Sequence, residues 1–502
     1  PAPQDDEETA LGGPGLVMTR GRDHGNAMHI QTPHFKENAR AALADEQLQR
    51  ALAGLPGGLV AQRAAARAKL PEFDTLRDIG RDLRNETLEL LDAYLEIYEK
   101  NATAAGAHVH WAESAEDARR IIVELCKAEG ARLVTKGKSM ISEEIGLNDA
   151  LEDAGMEVVE TDLGEYILQI RGETPSHIIA PAIHLTQEQV EHDFRRVHRD
   201  LPETRNLVEP ADLVGEARKV LRQKFLAADV GITGANFLIA ETGSSVIVTN
   251  EGNGDLTQSL ARVHIVITSI DKVLATREDL ATILRLLARS ATGQECTTYA
   301  TLSTGPRRPG DLDGPEAYHV VLLDNGRAEL LGTKFREVLR CIRCGACMNH
   351  CPVYGAVGGH AYGWVYPGPI GSVLTPALIG IGKGANLPNA STFCGRCEAV
   401  CPMRIPLPKL MRYWRDEDFE AGQPPLTQRI ALAAWAALAK RPALYHLIMR
   451  FAAASLGALG RRRGRFGWLP LAGGWTRHRD LAAPQGRTFQ QLWAETQRGV
   501  PR

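Results

Sequence analysis

Seven of the nine cysteines in this chain lie between Cys341 and Cys401, and their spacing leaves little freedom in what can be built there. The first run reads Cys341-Ile342-Arg343-Cys344-Gly345-Ala346-Cys347-Met348-Asn349-His350-Cys351-Pro352. The second reads Cys394-Gly395-Arg396-Cys397-Glu398-Ala399-Val400-Cys401-Pro402. C-x2-C-x2-C-x3-C-P is the bacterial ferredoxin spacing for iron–sulfur ligation. Two-residue gaps let three thiolates of one tight loop grip one cubane, while the fourth points at the neighbouring cluster. Cys341, Cys344 and Cys347 are therefore expected to share a [4Fe–4S] cluster with Cys401. Cys351, Cys394 and Cys397 are expected on a second cluster. Aligned on the first run, the second has Ser391 where its remaining cysteine would stand. The second cluster is then [3Fe–4S], or a [4Fe–4S] completed by a non-cysteine ligand or by a partner. Zinc also accepts C-x2-C pairs, but the repeated spacing ending in proline favours iron and sulfide. The gaps are too tight for a disulfide framework.

At 502 residues the chain is too long for a single core, so two or three domains are expected. Cys126 and Cys296 stand alone and read as buried structural thiols. Oxygen-sensitive clusters and unpaired thiols point to a reducing, cytoplasmic setting. No apolar run is read as long enough to span a bilayer, and no leader pattern opens the sequence. Pro1 to Ala27 is acidic and then glycine-rich, which reads as a disordered tail, with Met28 a plausible alternative start. Net charge is −3, which gives no support to nucleic-acid binding. The charge is unevenly spread, however. Residues 404–502 hold 17 Lys+Arg and 6 Asp+Glu, a net of +11, leaving −14 for the remainder. A basic tail on an acidic body suits an acidic partner or contact with the inner face of a membrane.

Along the chain, Ala and Leu at helical spacing predict a helix over His34 to Leu55, ended by Gly57-Gly58. A longer amphipathic helix carries Phe73, Leu76, Leu83, Leu90, Tyr94 and Tyr98. From Ala107 the pattern alternates. Strands are expected at Val109–Trp111, Arg132–Thr135, Glu157–Glu160 and His177–Ala180, with helices from Ser114 to Gly130, Glu143 to Ala154 and Thr186 to His198. Such alternation argues an α/β domain with a mostly parallel sheet. Phe237–Ala240 and Ser245–Thr249 form a hairpin around Glu241-Thr242-Gly243. Arg262–Thr268 and Tyr318–Leu323 read as buried strands, and Asp279–Leu287 as a helix. After Cys401 come a helix over Leu410–Phe419 and an Ala/Leu-rich helical pair over Ile430–Leu459, broken at Pro442.

Neither G-x-G-x-x-G nor G-x-x-x-x-G-K-[ST] occurs in its required context, so nucleotide binding of those types has no support. Three polar loops are candidates for a small ligand, because open α/β sheets bind at strand ends. They are Lys136-Gly137-Lys138-Ser139, Asn236 with Glu241-Thr242-Gly243, and Asn250-Glu251-Gly252-Asn253. Turn geometry alone also demands Gly and Asn there. Between the cysteine runs, Tyr354 to Pro369 is rich in glycine and aromatics; the glycines suit close approach to a cluster, and the aromatics suit drying a cluster and ordinary loop packing equally.

The sequence resembles the LutB family, the iron–sulfur proteins of the bacterial lactate-utilisation system. The resemblance rests on Thr135 to Met140, Glu143 to Asn148, Glu160 to Glu165, Ser176 to His184 and Ala240 to Ser244. The closing Gly474 to Asp480 stretch and both cysteine runs add to it. It implies a central lactate-utilisation (LUD) domain with the fold of ribose-5-phosphate isomerase, glucosamine-6-phosphate deaminase and CoA transferases. It also implies two companion subunits, a cysteine-rich iron–sulfur protein and a smaller LUD-domain protein, acting together to oxidise L-lactate to pyruvate. No catalytic residue transfers. The expected organisation is a tail over 1–28, N-terminal helices over 29–105 and the α/β domain over 106–328. An α-helical two-cluster ferredoxin-like domain over 329–412 and a basic helical C-terminal region over 413–502 complete it. The function expected is electron relay through two clusters. The rival readings are a self-contained α/β enzyme taking a small acid or a CoA- or phospho-ligand, and an iron–sulfur subunit for another 2-hydroxy acid such as glycolate.

Overall fold

Runs of β-branched residues alternating with helices build a six-stranded sheet that organises the described residues up to 420. The computed structural model describes residues 30–499 apart from 138, 471, 477 and 478. The expected tail over 1–28, with Met28, and Lys138 therefore lie outside the described residues, as do positions 477 and 478 of the closing stretch. The strands are β1 (His108–Ala112), β2 (Leu133–Lys136), β3 (Glu157–Glu160), β4 (Val230–Gly234), β5 (Phe237–Ile239), β6 (Ser244–Thr249), β7 (Val263–Ser269), β8 (Val273–Leu274), β9 (Tyr299–Ser303) and β10 (Ala317–Leu323). The main sheet runs β1-β10-β7-β4-β2-β3, parallel at every pairing. Helices cover it, so the central β7 is buried along all its length. A second sheet, β8-β5-β6-β9, grows from the β5–β6 hairpin. This is the expected α/β architecture, followed by the short helices of the cysteine region.

The N-terminal helices do more than strap the domain. Helix Phe73–Glu89 packs on helix Arg277–Ala291 and supplies Phe73, Leu76 and Leu88 to a core shared with Phe237, Ile283 and Leu286. The same core continues into Ile342, Met403, Ile405 and Leu407 around the cysteines. Gly80 marks the closest approach, since a Cβ there would meet Met403 Cε at 2.9 Å.

Several expected elements differ. His177–Ala180 is an irregular bend rather than a strand, because the His177 ring accepts the backbone N–H groups of Ile179 and Ala180, both at 3.0 Å. The expected Glu143–Ala154 helix is two, Met140–Glu144 and Leu147–Asp153, split by Gly146 at φ +63°. The long amphipathic helix also divides, at Leu90, into Phe73–Glu89 and Leu91–Ala104. Likewise, the first helix breaks at Asp45, whose carboxylate caps the next turn by accepting from Gln47 and Leu48. Helix Pro210–Ala227 and strand β4 were not anticipated.

The described residues from 421 onward form a second compact unit. Helices Leu426–Ala439 and Pro442–Gly460 pack on each other, and Arg465–Phe466 pairs antiparallel with Leu481–Ala482. The expectation that no apolar run reaches spanning length is corrected here. Helix Pro442–Gly460 has 19 residues and a mean hydropathy of 1.3, enough for a bilayer by length and composition. Pro442 opens that helix, which places the break between the two helices where it was expected, and Arg450 is its one charged residue.

Candidate iron–sulfur centre

The short helices of the cysteine region fold the two runs across one another. Helix Ala346–Asn349, in the first run, packs against helix Arg396–Val400, in the second. The crossing sorts the thiols into two sets. Cys341, Cys344, Cys347 and Cys401 line one cavity, walled by Ile178, Ile370, Met403 and Leu407. Cys351, Cys394 and Cys397 line a second with Ser391, Pro369 and Met411. The donor sets fit iron–sulfur clusters: burial pushes the Cys344 and Cys397 thiols up to about 12. A thiolate there needs adjacent positive charge, which iron supplies.

Backbone amides and cations complete the surroundings of the first cavity. The Arg343 N–H donates to Cys341 Sγ and the Ile405 N–H to Cys401 Sγ, both at 3.4 Å. Arg77 donates through Nε and Nη2 to the Cys401 carbonyl at 3.0 and 2.7 Å, and through Nη2 to Ala399 at 2.8 Å. Arg63 donates to the Val400 carbonyl at 2.8 Å, and Lys272 to the Cys341 carbonyl at 3.1 Å. The Arg343 guanidinium lies 4.6 Å from the Tyr366 ring centroid. Burial pulls Lys272 down to about 8 although its neighbour Asp271 opposes this. Cations held this close stabilise thiolate and any negative charge a cluster acquires on reduction. None of these four was anticipated. A signal existed for Arg77: it shares a helical stripe with Phe73, Gly80 and Arg84, all buried, where an arginine needs a buried acceptor.

The cysteine region rests on the carboxyl edge of the parallel sheet, where open α/β folds ordinarily place ligands. Asp271 and Lys272 follow β7, and Asn325 and Arg327 follow β10. Arg327 and Glu144 are wholly buried and joined by two hydrogen bonds, at 2.9 and 2.6 Å. Asn325 donates to the same carboxylate at 2.7 Å. Tyr366, from the loop between the cysteine runs, donates to Glu144 at 2.6 Å. Burial raises the Glu144 carboxyl, yet Arg327 outweighs it and holds the group below its usual range. Tyr354 donates to the Ser176 carbonyl at 2.9 Å, and His177 bonds Asn349 at 2.8 Å. Gly359 permits this approach, since a Cβ would stand 1.7 Å from the Ser176 oxygen. The aromatics of this loop therefore seat the cysteine region on the sheet.

The three polar loops are occupied with structure. Lys136 is buried and pairs with Glu143 at 2.9 Å and Glu160 at 2.7 Å, so its charge is held within the fold. Ser139 caps the five-residue helix Met140–Glu144. Asn236 accepts the Val248 N–H at 2.9 Å, and Glu241 pairs with Arg277 at 3.4 Å. Asn250 accepts from the Thr298 N–H at 3.1 Å, while Asn253 opens helix Asn253–Leu260. Of the two isolated cysteines, Cys126 is buried as expected, but Cys296 is exposed. It lies on the irregular segment before β9, which covers no apolar core.

Comparison with known proteins divides the chain in three. Residues 95–323 match the LUD domain, 337–405 the 4Fe-4S dicluster domain, and 420–498 the family "Lactate utilisation protein B, C-terminal". "Lactate utilization protein B" of Bacillus licheniformis is 42% identical over 94% of this chain and 98% of its own length. The proteins of that name from a Geobacillus species and Bacillus subtilis are 42% and 41% identical, over 94% and 93% of this chain and 99% and 98% of theirs. A solved DUF162 family protein from Deinococcus radiodurans covers 46% of this chain and 98% of its own at 16% identity, with a TM-score of 0.27.

Proposed function

Because this chain belongs to the lactate utilisation protein B family, we propose that it is the electron-relaying iron–sulfur subunit of an assembly that oxidises L-lactate to pyruvate. The observation that carries this reading is the sorting of seven cysteines into two neighbouring cavities, four and three. Removing two electrons and two protons from a 2-hydroxy acid gives the 2-oxo acid. Iron–sulfur clusters accept such electrons one at a time. Two clusters side by side pass them singly from a donor centre to an acceptor. The chain's own residues supply ligands, dry walls and the cation shell that tunes potential.

In this reading Cys341, Cys344, Cys347 and Cys401 hold a [4Fe–4S] cluster, and Cys351, Cys394 and Cys397 hold the second. Residues 329–412 carry the relay and 106–328 form the platform beneath it. The companions are a cysteine-rich iron–sulfur subunit and a smaller LUD-domain subunit, and the assembly works in the cytoplasm. The C-terminal unit supports peripheral contact with the membrane's inner face. Leu447, Phe451 and Leu459 of helix Pro442–Gly460 are exposed, and no Asp or Glu occurs from 421 to 479. Exposed apolar side chains beside arginines are the pattern of a helix lying on an anionic interface.

The test is anaerobic purification of the full chain with and without Cys344→Ala. The variant should lose one cluster's iron and sulfide and stop L-lactate-dependent electron flow in the reconstituted assembly. Full activity after the loss of that cluster would defeat the relay role.

A further inference from the structure

The second cavity has a fourth corner, and the fold says which residue stands at it. In the first run Cys341 opens a loop in which Arg343 takes φ +57° and Gly345 φ +71°, with Gly345 capping helix Ala346–Asn349. In the second, Ser391 opens a loop in which Phe393 takes φ +53° and Gly395 φ +78°, with Gly395 capping helix Arg396–Val400. Left-handed φ at a non-glycine residue is uncommon. Among the described residues only Asn325, Arg343, Phe393 and Arg404 show it, so two of the four mark one position in two loops. The hydrogen bonding repeats as well. The Arg343 N–H donates to Cys341 Sγ at 3.4 Å, and the Phe393 N–H donates to Ser391 Oγ at 3.1 Å. Ser391 lines the cavity with Cys351, Cys394 and Cys397, as Cys341 lines the other.

Resting on the two-cluster reading, we infer that Ser391 occupies the ligand position equivalent to Cys341, and that the second centre is a cubane whose iron at this corner is exchangeable. A neutral hydroxyl is a harder and weaker ligand for iron than thiolate. This corner is also wetter: Thr392, Phe393 and Cys394 are exposed, whereas Ile342 and Cys344 of the matching loop are buried. Oxidation by ferricyanide then takes one electron from the [4Fe–4S]²⁺ cluster and releases one Fe²⁺. The product is [3Fe–4S]⁺ on Cys351, Cys394 and Cys397, and the electron reduces ferricyanide to ferrocyanide. Ferrous iron with a one-electron reductant reverses the step.

The experiment uses anaerobically purified full-length chain, with iron and sulfide analysis beside EPR. Ferricyanide should raise a three-iron signal that disappears on adding ferrous iron and dithionite. Ser391→Cys should reduce that signal at least about tenfold by supplying the missing thiolate, and Ser391→Ala should leave it. The mirror change, Cys341→Ser, should create the same lability in the first centre, which keeps the test open should Ser391→Cys fold poorly. Both clusters present by analysis with no three-iron signal, or a signal equally strong in Ser391→Cys, overturns this inference alone. Iron and sulfide for a single cluster would overturn the two-cluster reading beneath it.

Discussion

Replacing Arg77 with glutamine should lower the reduction potential of the first centre without removing it. The Arg77 side chain is 4% exposed and bonded to the carbonyls of Ala399 and Cys401, so its charge sits beside a cluster ligand in a poorly screened place. Reduction adds one negative charge to the cluster, which a nearby cation favours. Two unit charges about 7 Å apart at an effective dielectric of about 20 interact by ~2.4 kcal/mol, which sets the scale of the effect. For a one-electron couple that corresponds to ~100 mV. Spreading of charge over the cluster reduces this, so a fall of about 50–100 mV is expected. Asp74 pairs with Arg77 at 2.7 Å but also with Arg67 at 2.7 Å, and it keeps a partner in the variant. Glutamine retains a donor for the carbonyls, so iron content should not change. EPR-monitored redox titration of wild type, Arg77→Gln and Arg77→Lys gives the answer. An unchanged potential in Arg77→Gln, or an equal fall in Arg77→Lys, would refute the electrostatic reasoning.

Two further outcomes follow from other parts of the molecule. His264 is fully buried against Thr233 at 2.8 Å, and burial lowers its imidazole to about 3. An unfolded chain takes up that proton near pH 6.5, so the native state loses about 1.4 kcal/mol per pH unit below this until about pH 3, with no effect above it. Denaturant titrations at pH 7 and pH 5 should show a smaller acid loss in His264→Gln than in wild type; equal losses would contradict the assignment. In the C-terminal unit, Phe451→Glu should abolish co-sedimentation with phosphatidylglycerol vesicles, while neutral phosphatidylcholine vesicles should bind the wild type weakly. Salt-independent binding to both, or none to either, would count against the membrane contact.

How far the sequence revealed this molecule depended on the range of the interaction. The strands β2, β3, β7 and β10 were legible because buried parallel strands are short apolar runs with turn signals on either side. The grouping of the cysteines around two cavities was legible because ferredoxin spacing holds three thiols in one loop and sends the fourth toward the other run. His177–Ala180 misled because Ile178-Ile179 has strand composition, yet the His177 ring bends its own backbone by accepting two of its N–H groups. Arg63, Arg77 and Lys272 left no motif. Each reaches a backbone carbonyl far away in the chain, and carbonyls carry no sequence identity. Glu144 and Arg327 were hidden for a related reason, since a pairing 183 residues apart shows only once the sheet brings β10 beside β7.

That last pair bears on how the molecule can be taken apart. Family boundaries suggest a cut near residue 330, separating a LUD module from a ferredoxin module. The cut would strip Tyr366 from Glu144 and Cys341 from Lys272, leaving polar partners facing water or each other at a raw edge. It would also remove the apolar partners that Phe73 and Ile283 share with Met403 and Ile405. The two modules therefore behave as halves of one casting. Transplanting this cysteine region onto another LUD scaffold requires carrying its seat along: Glu144, Asp271, Lys272 and Arg327.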